Sequence, residues 1–306
     1  MSKAMGKGLR FFKWMLGILA ASVLSLAAYM WWVVERFDTE TLPLRHGQVD
    51  GELFARDGGK RPLIVGLGGG EGGNAWASDR WKPQRERFLD QGYALLALGY
   101  FGTPNSPEKL DRISLDGVHA AIVEASKDPR VDGRCVAIIG GSRGAELALL
   151  LASHYPDIHA VVAIVPGSAV FPALTDAMTT GGFSLHDKPL PFVPMTWGAT
   201  PALIVGDLRG AFESIMGDAA AMQRAAIPVE RINGPVYFVS ATRDEAWPSR
   251  EMSDAMMERL QAAGFAHHAE HLPVEGGHAG PLDEFPRIEE FLQRHFMARC
   301  GAGATL

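Results

Sequence analysis

The chain begins with basic positions and a long apolar run, and then changes to short apolar segments separated by glycine and polar residues. The run from Trp14 to Val34 carries no charged side chain. Its 21 residues, at about 1.5 Å each, would cover about 30 Å, the thickness of a bilayer's hydrocarbon core. We therefore expect a transmembrane anchor at 14–34, in contact with the lipid bilayer, after a basic segment at 1–13.

A cleaved signal peptide is the alternative for this run, because Ser25-Leu26-Ala27 has small residues at the spacing of a cleavage site. However, the apolar run continues to Val34 and ends in aromatic residues typical of a membrane interface, which favours an uncleaved anchor. Basic side chains at positions 3, 7, 10 and 13 precede the run. The positive-inside rule then predicts a single-pass protein with a cytoplasmic amino terminus, and in a bacterium a periplasmic catalytic domain.

Beyond a spacer at 35–60, expected to hold one or two edge strands, apolar runs and helical patterns alternate. The segments at 62–67, 93–98, 135–139, 160–165, 236–240 and 269–274 are predicted strands, and the apolar run at 62–67 is typical of a buried parallel strand. Helical patterns lie at 79–91, 110–126, 143–154, 249–263 and 282–298. This alternation predicts one α/β domain at 61–298, with a mostly parallel sheet, helices on both faces and a flexible tail at 299–306.

The alternation breaks between positions 167 and 235, which are rich in proline and show one clear helical pattern, at about 211–225. Long segments without structure or purpose are uncommon in compact domains. We expect a cap-like excursion over the active-site edge of the sheet. Packing against the anchor side of the domain is the alternative.

The candidate chemistry centres on Gly140-Gly141-Ser142-Arg143-Gly144, where a predicted strand meets a predicted helix. Gly-x-Ser-x-Gly in this context indicates a nucleophile elbow, in which a sharp turn exposes the serine hydroxyl. A chance match in a glycine-rich chain is the alternative, and the strand and helix on either side argue against it. Ser142 is therefore the predicted nucleophile, and the backbone N–H of Arg143 a predicted oxyanion-hole donor.

In this fold the acid and then the histidine follow the serine, each after a later strand. Asp244 follows the predicted strand at 236–240, and His278 follows the one at 269–274. Glu245 and Asp283 are alternatives for the acid, but the first is expected to point elsewhere and the second to begin a helix. The other histidines fall outside the required position. Asp244 and His278 are therefore the predicted acid and base.

The glycine run at 68–73 follows the first predicted strand and offers backbone donors with few side chains in the way. Gly70 and Glu71 are the predicted second donors of the oxyanion hole. The run also matches Gly-x-Gly-x-x-Gly, but the next strand does not end in the acidic residue that a dinucleotide site requires. No cofactor is therefore predicted, and without His-Glu-x-x-His or a cysteine quartet no metal is predicted either.

The net charge bears on possible partners, and the cysteine content bears on disulfides. The net charge of −6 leaves no chain-wide basic field, so nucleic acid is not an expected partner. The two cysteines, Cys135 in a predicted strand and Cys300 in the predicted tail, are not expected to form a structural disulfide. No pattern indicates an oligomeric state.

Several stretches together are similar to one known family. They are the glycine run at 68–73, the segment 94–101, the elbow with its helix at 140–149, the sequence Ile-Pro-Val-Glu-Arg at 227–231, the Asp-x-x-Trp at 244–247 and Gly277-His278. The chain resembles the carboxyl-terminal catalytic domain shared by acyl-CoA thioesterases and bile acid-CoA:amino acid N-acyltransferase, which are relatives of dienelactone hydrolase. The resemblance implies an α/β-hydrolase fold with Ser142, Asp244 and His278 as nucleophile, acid and base.

The chain departs from this family in three places. Eukaryotic members carry a β-sandwich where this chain has an anchor, and Ala279-Gly280-Pro281-Leu282 replaces a proline-rich stretch after the histidine. The amino acid transferase resembles a cysteine version of the site, and a serine ester favours transfer to water.

We therefore expect a membrane-anchored serine hydrolase that cleaves acyl thioesters through an acyl-enzyme. An esterase acting on a periplasmic substrate, an acyltransferase with an amine acceptor and a non-enzymatic binding module are the alternatives.

Overall fold

A computed structural model describes the backbone of residues 2–301 and the side chains of residues 11–300. Up to the Gly-x-Ser-x-Gly turn the elements are α1 (Ser2–Arg36), β1 (Asp50–Phe54), β2 (Arg61–Leu67), α2 (Lys82–Asp90), β3 (Ala94–Gly99), β4 (Ile113–Ser114), α3 (Leu115–Ala125) and β5 (Val131–Gly141). After the turn they are α4 (Arg143–His154), β6 (Ala160–Ile164), β7 (Phe183–Leu185), β8 (Lys188–Pro189), α5 (Thr200–Ile204), α6 (Leu208–Met216), α7 (Ala219–Ala225), β9 (Val236–Ala241), α8 (Ser249–Ala262), β10 (Ala269–Val274), α9 (Phe285–Phe291), a π-helix (Leu292–Met297) and α10 (Ala298–Gly301).

The main sheet has seven strands in the order β1-β3-β2-β5-β6-β9-β10. All neighbouring pairs are parallel except β1 with β3, which is antiparallel. The predicted mostly parallel α/β sheet is therefore confirmed, with one antiparallel strand at its edge. Because parallel strands end at the same edge, the loops after β2, β5, β9 and β10 meet there.

The sheet is covered on both faces, and successive residues of each strand enter different cores. Leu63 and Val65 of β2 pack in one core with α3, α4 and α8, whereas Ile64 packs in the other with α2 and α9. Side chains alternate across a strand, so a strand buried on both faces must be apolar at every position. This is why the central predicted strands are nearly continuous apolar runs, whereas the edge strand β10 contains Glu270 and His271.

The segment between β6 and β9 forms a layer of its own. It contributes β7 and β8 to a small sheet with β4, and helices α5, α6 and α7. Its core includes Phe171 and Ile215, which pack with Trp247 from the loop after β9. The single helix predicted at 211–225 is wrong in detail, because the Asp218 side chain accepts a hydrogen bond from Ala221 N and begins a new helix there.

The first helix, α1, contains an apolar segment of 26 residues, Phe11–Arg36, with a mean hydropathy of 1.8. The most apolar part of this segment has no residue buried in the fold. A helix of this length and composition is long enough to cross a bilayer, and a signal sequence near the amino terminus has the same properties. Met1 and the side chains of residues 2–10, part of the predicted basic segment, lie outside the described residues.

The two cysteines form a disulfide, with Cα atoms 5.9 Å apart, so the expectation of no structural disulfide was wrong. The cause is the course of the carboxyl-terminal helices. Leu292 and Phe296 pack on the sheet, and the helix continues through Ala298–Gly301, which carries Cys300 to Cys135 on β5. The remainder of the predicted tail, 302–306, lies outside the described residues.

Candidate active site

The turn between β5 and α4 holds Ser142 in a conformation that few side chains adopt, with φ 53° and ψ −118°. Glycines allow this turn to form. A Cβ atom on Gly140 would lie 2.1 Å from the carbonyl oxygen of Gly144, and one on Gly144 would lie 2.2 Å from the carbonyl oxygen of Gly68. Strand, helix and the loop after β2 therefore approach each other too closely for any larger residue, and Ser142 sits at the carboxyl end of the sheet.

His278 and Asp244 come from neighbouring loops, after β10 and β9, and are joined by a hydrogen bond. Nδ1 of His278 lies 2.8 Å from Oδ1 of Asp244, whose side chain is fully buried. An ionised carboxylate only accepts hydrogen bonds, so Nδ1 carries the proton and Nε2 keeps its lone pair.

Two opposing effects act on the pKa of Asp244. Burial by itself would raise the pKa, but the hydrogen bond and charge of His278 and the backbone N–H of Ala246 outweigh it and lower the pKa below its ordinary value. The carboxylate is therefore ionised when it faces the imidazole, as a group that orients a general base must be.

Ser142 and His278 line one cavity of about 430 Å³ at this edge of the sheet. Its apolar walls are formed by Leu67, Trp76, Trp81, Ile164, Val165 and Leu282. Within the described residues, the hydroxyl of Ser142 and the imidazole of His278 are not hydrogen-bonded to each other. Such bonds are often longer in enzymes without substrate and shorten in the reacting complex.

Two of the three predicted oxyanion-hole donors line the same cavity, and the third, Arg143, directly follows Ser142. Gly70 and Glu71 line it, and Arg143 supplies the first N–H of α4, which the helix itself leaves without an acceptor. The hydroxyl of Tyr100 donates to the carbonyl oxygen of Gly68 at 2.8 Å and holds the loop in place. The carboxylate of Glu71 folds back over Gly69, where its charge would oppose an oxyanion, so Gly70 is the better of the two predicted second donors.

Glu245, considered in sequence analysis as an alternative acid, has a different position. Its Oε2 accepts a hydrogen bond from the backbone N–H of His278 at 2.8 Å, while Asp244 alone binds the imidazole. Glu245 therefore holds the histidine loop rather than the histidine ring.

Sequence analysis missed a buried ion pair beneath the elbow. Nη1 of Arg143 lies 2.7 Å from Oε2 of Glu146, and both side chains are buried. Glu146 also accepts from the backbone N–H of Phe171, and Arg143 donates to the carbonyl oxygens of Phe171 and Pro172. Burial raises the pKa of Glu146 to about 7, against the charge of Arg143. The signal was two charges three residues apart in an otherwise apolar helix.

Outside this cavity, a group of three side chains contains residue types that can bind metals. Donor atoms of His268, Glu270 and His295 lie within 4.8 Å of one another, near the amino end of β10. The two imidazole rings are stacked, with centroids 3.9 Å apart and planes 5° from parallel. Lone pairs of imidazole nitrogens lie in the ring plane, so these nitrogens do not converge on one point. The cluster is a stacked histidine pair with a nearby carboxylate.

The sheet order, the elbow and the order of the three candidate residues define the class of protein: this chain has the α/β-hydrolase fold. Solved structures agree on the fold. Est1E from Butyrivibrio proteoclasticus, solved with ferulic acid bound, superimposes with a TM-score of 0.53 at 18% identity, over 82% of this chain and 96% of that one.

The family model described as "BAAT / Acyl-CoA thioester hydrolase C terminal" matches residues 119–299, and the chain belongs to this family. Mouse acyl-coenzyme A thioesterase 6 is 29% identical over 226 residues, covering 73% of this chain and 50% of that protein. Rat acyl-coenzyme A amino acid N-acyltransferase 2 is 28% identical over 236 residues, covering 72% of this chain and 50% of that protein. The chain thus spans about half the length of these relatives.

Proposed function

We propose that the chain is a membrane-anchored serine hydrolase that cleaves acyl thioesters. Nε2 of His278 removes the proton of Ser142, whose oxygen attacks the thioester carbonyl, while the N–H groups of Arg143 and of Gly70 or Glu71 bind the oxyanion. The thiol leaves with the proton from His278. Water, deprotonated by the same nitrogen, then attacks the acyl-enzyme and releases the carboxylic acid and free Ser142.

The observation that carries this proposal is the strained backbone of Ser142, at φ 53°, in a cavity shared with a histidine whose other nitrogen is bound to a buried carboxylate. Backbone strain of this kind persists where surrounding structure imposes it, and it clusters at active sites. Family membership supports the thioester as substrate class, because the mouse relative is named an acyl-coenzyme A thioesterase.

Replacing the nucleophile tests the mechanism. Ser142→Ala should lower kcat for acyl-CoA and p-nitrophenyl esters by at least about 10³-fold, because no acyl-enzyme can form. Ser153→Ala is the matched control: it removes a serine of the same helix, α4, whose hydroxyl donates only to the Leu149 carbonyl. A fluorophosphonate probe should label wild type and the control and leave Ser142→Ala unlabelled. Full hydrolysis by Ser142→Ala would refute the mechanism.

Two alternatives use the same serine: transfer of the acyl group to an amine, and cleavage of an ordinary ester. The rat relative is named an N-acyltransferase, which favours a test for transfer to an amine, and the apolar cavity would also accept an ordinary ester. Mass spectrometry of products formed from acyl-CoA with and without glycine or taurine separates hydrolysis from transfer. A comparison of kcat/KM for matched esters and thioesters decides between esterase and thioesterase. Because a serine ester favours transfer to water, we expect free acid as the main product.

We also propose the arrangement of the chain in the membrane. Residues 14–34 span the bilayer, 35–60 form the spacer and edge strand, 61–298 form the catalytic domain, and the excursion at 167–235 covers its active-site edge. The basic positions before the apolar run at 14–34 support a cytoplasmic amino terminus and a periplasmic domain. The Cys135–Cys300 disulfide supports the same orientation, since disulfides persist in oxidising compartments. Alkaline phosphatase fused after Leu306 should be active in a bacterial host, and an inactive fusion would reverse the orientation.

A further inference from the structure

The carboxyl-terminal end of α1 is fixed to the catalytic domain rather than joined to it by a loose linker. Tyr29, Trp32 and Arg36 of α1 form one wall of a cleft of about 310 Å³, and Lys109 and Thr175 of the domain form another. Just after the helix, the buried guanidinium of Arg112 donates to the backbone carbonyl oxygens of residues 38 and 39, at 3.2 and 2.8 Å. The orientation of α1 therefore sets which face of the domain meets the membrane.

The aromatic residues of α1 indicate where the membrane surface lies. Tyr29 and Trp32 stack on each other, and the guanidinium of Arg36 lies over the ring of Trp32 at 5.0 Å. Tyrosine and tryptophan prefer the headgroup level of a bilayer, and arginine side chains near a helix end extend toward it. Since Lys109 and Thr175 line one cleft together with Tyr29, Trp32 and Arg36, the loops that carry them lie at headgroup level too.

A short series of contacts joins this level to the proposed active site. The backbone N–H of Leu174 donates to the carbonyl oxygen of Leu110 at 2.8 Å, which ties together the two loops that meet α1. The Leu174 side chain, 37% exposed, lies against Gly70, where an added Cβ would be 3.1 Å from Leu174 Cδ1. Gly70 lines the cavity that contains Ser142. The cavity therefore lies beside the membrane surface.

A second apolar surface lies on the same edge of the sheet. Trp197, Ile204 and Val205 are 73%, 68% and 77% exposed, and Leu208 is half exposed. These residues precede Arg209, whose Nη1 donates to the carbonyl oxygen of Asp244 at 3.1 Å, so they lie next to the loop after β9. Exposed apolar groups of this size are typical of surfaces that meet a membrane or a partner. The bilayer that holds α1 is the partner already at this edge.

We infer that the carboxyl edge of the sheet rests on this bilayer, and that the substrate is an acyl thioester or ester whose acyl chain is held in the membrane. The inference rests on the proposed hydrolase function and anchor. An amphiphile in the outer layer of the bilayer would reach Ser142 from the side of Leu174, with its carbonyl at headgroup level and its chain still in lipid. Soluble substrates would reach the same serine from water.

The first test measures whether position 109 lies in the membrane surface. Lys109→Cys and Lys60→Cys, each labelled with the environment-sensitive dye NBD in the full chain, are compared in phosphatidylcholine–phosphatidylglycerol vesicles. Lys60 is the matched control, because it is an exposed lysine directly before β2, at the opposite edge of the sheet. We expect blue-shifted emission, quenched by spin-labelled lipid, at position 109 alone. Equal, water-like emission at both positions would overturn the inference.

The second test separates the membrane contact from the chemistry. A spacer of about 12 Gly/Ser residues between Arg36 and Phe37, with a mean span of about 20 Å, should lift the domain from the bilayer without altering the cavity. We expect hydrolysis of soluble p-nitrophenyl butyrate to stay within about twofold of wild type. Hydrolysis of a palmitoyl thioester inserted in the same vesicles should fall at least about tenfold.

The outcomes of the second test are distinguishable. Equal rates of wild type and spacer variant on the vesicle-held substrate would refute the membrane contact and leave the hydrolase intact. A wild-type chain that hydrolyses neither substrate would instead refute the proposed function. A spacer variant that loses both activities has lost its fold, and the dye at position 109 then decides the question.

Discussion

Replacing Gly144 by alanine tests whether the close approach beneath the elbow positions the nucleophile. The added Cβ would lie 2.2 Å from the carbonyl oxygen of Gly68 and 2.8 Å from that of Leu67, and both atoms belong to backbone. Neither can turn away as a flexible side chain could. Restoring ordinary contact distances would move α4 and the loop after β2 apart by about 1 Å.

This displacement has two consequences of different size. Overpacking of this kind costs about 1–3 kcal/mol of unfolding free energy. The same movement separates the N–H groups of Arg143 and Gly70, which we propose bind the oxyanion from opposite sides of that gap. A displacement of 1 Å at reacting groups costs about 10²-fold in rate, so kcat should fall by about that factor.

Urea unfolding and steady-state kinetics on p-nitrophenyl butyrate measure the two effects. Gly141→Ala is the matched control for stability, since a Cβ at Gly141 meets nothing within 4 Å and its φ is not positive. We expect Gly141→Ala to unfold within about 0.5 kcal/mol of wild type, and Gly144→Ala to be clearly less stable. If Gly144→Ala matched wild type in both stability and kcat, the close approach would not position the site.

Three further predictions follow from the contacts of the site and the disulfide. Asp244→Asn should lower kcat by about 10⁴-fold without a large loss of stability, because the amide would hold His278 in the wrong tautomer; a kcat near wild type would remove Asp244 from the mechanism. Cys300→Ser should lower the unfolding free energy, measured in urea, by about 2–5 kcal/mol. As a check, reductant should lower the unfolding free energy of wild type by the same amount and should not change that of Cys300→Ser. Burial raises the pKa of Glu146 to about 7, so its contribution to stability is full below about pH 4.5 and is lost as the pH rises through about 7. The difference in unfolding free energy between wild type and Glu146→Gln should therefore fall by about 3 kcal/mol at most across that range, and a constant difference would contradict the raised pKa.

Much of the fold could be predicted because its signals are local. A strand buried on both faces is a nearly continuous apolar run, as 160–164 and, apart from Ser240, 236–241 are, so length and flanking glycines were enough to recognise it. The turn around Ser142 needs glycine at positions 140 and 144, so the five residues from 140 to 144 were enough to predict it. The order of elements then predicted that Asp244 and His278 would follow the right strands.

Other features depend on residues that are distant in sequence, and no local pattern records them. The split of the helix predicted at 211–225 depends on one capping side chain, Asp218, within a pattern that could continue either way. Glu245 and Asp244 are equivalent by position, and only the path of the histidine loop decides which carboxylate meets the ring. Cys135 and Cys300 are separated by 165 residues, and their pairing depends on how the last helices pack across the sheet.

The amino-acid sequence by itself therefore determined the order of strands and helices, the elbow at Ser142 and the presence of an apolar helix before the domain. These follow from burial and backbone conformation within a few consecutive residues. The tertiary structure alone decided the disulfide, the choice between Asp244 and Glu245 as the partner of the His278 ring, and the cleft between α1 and the loops beside the cavity. Each of these depends on the distance between side chains that the chain brings together only when it is folded.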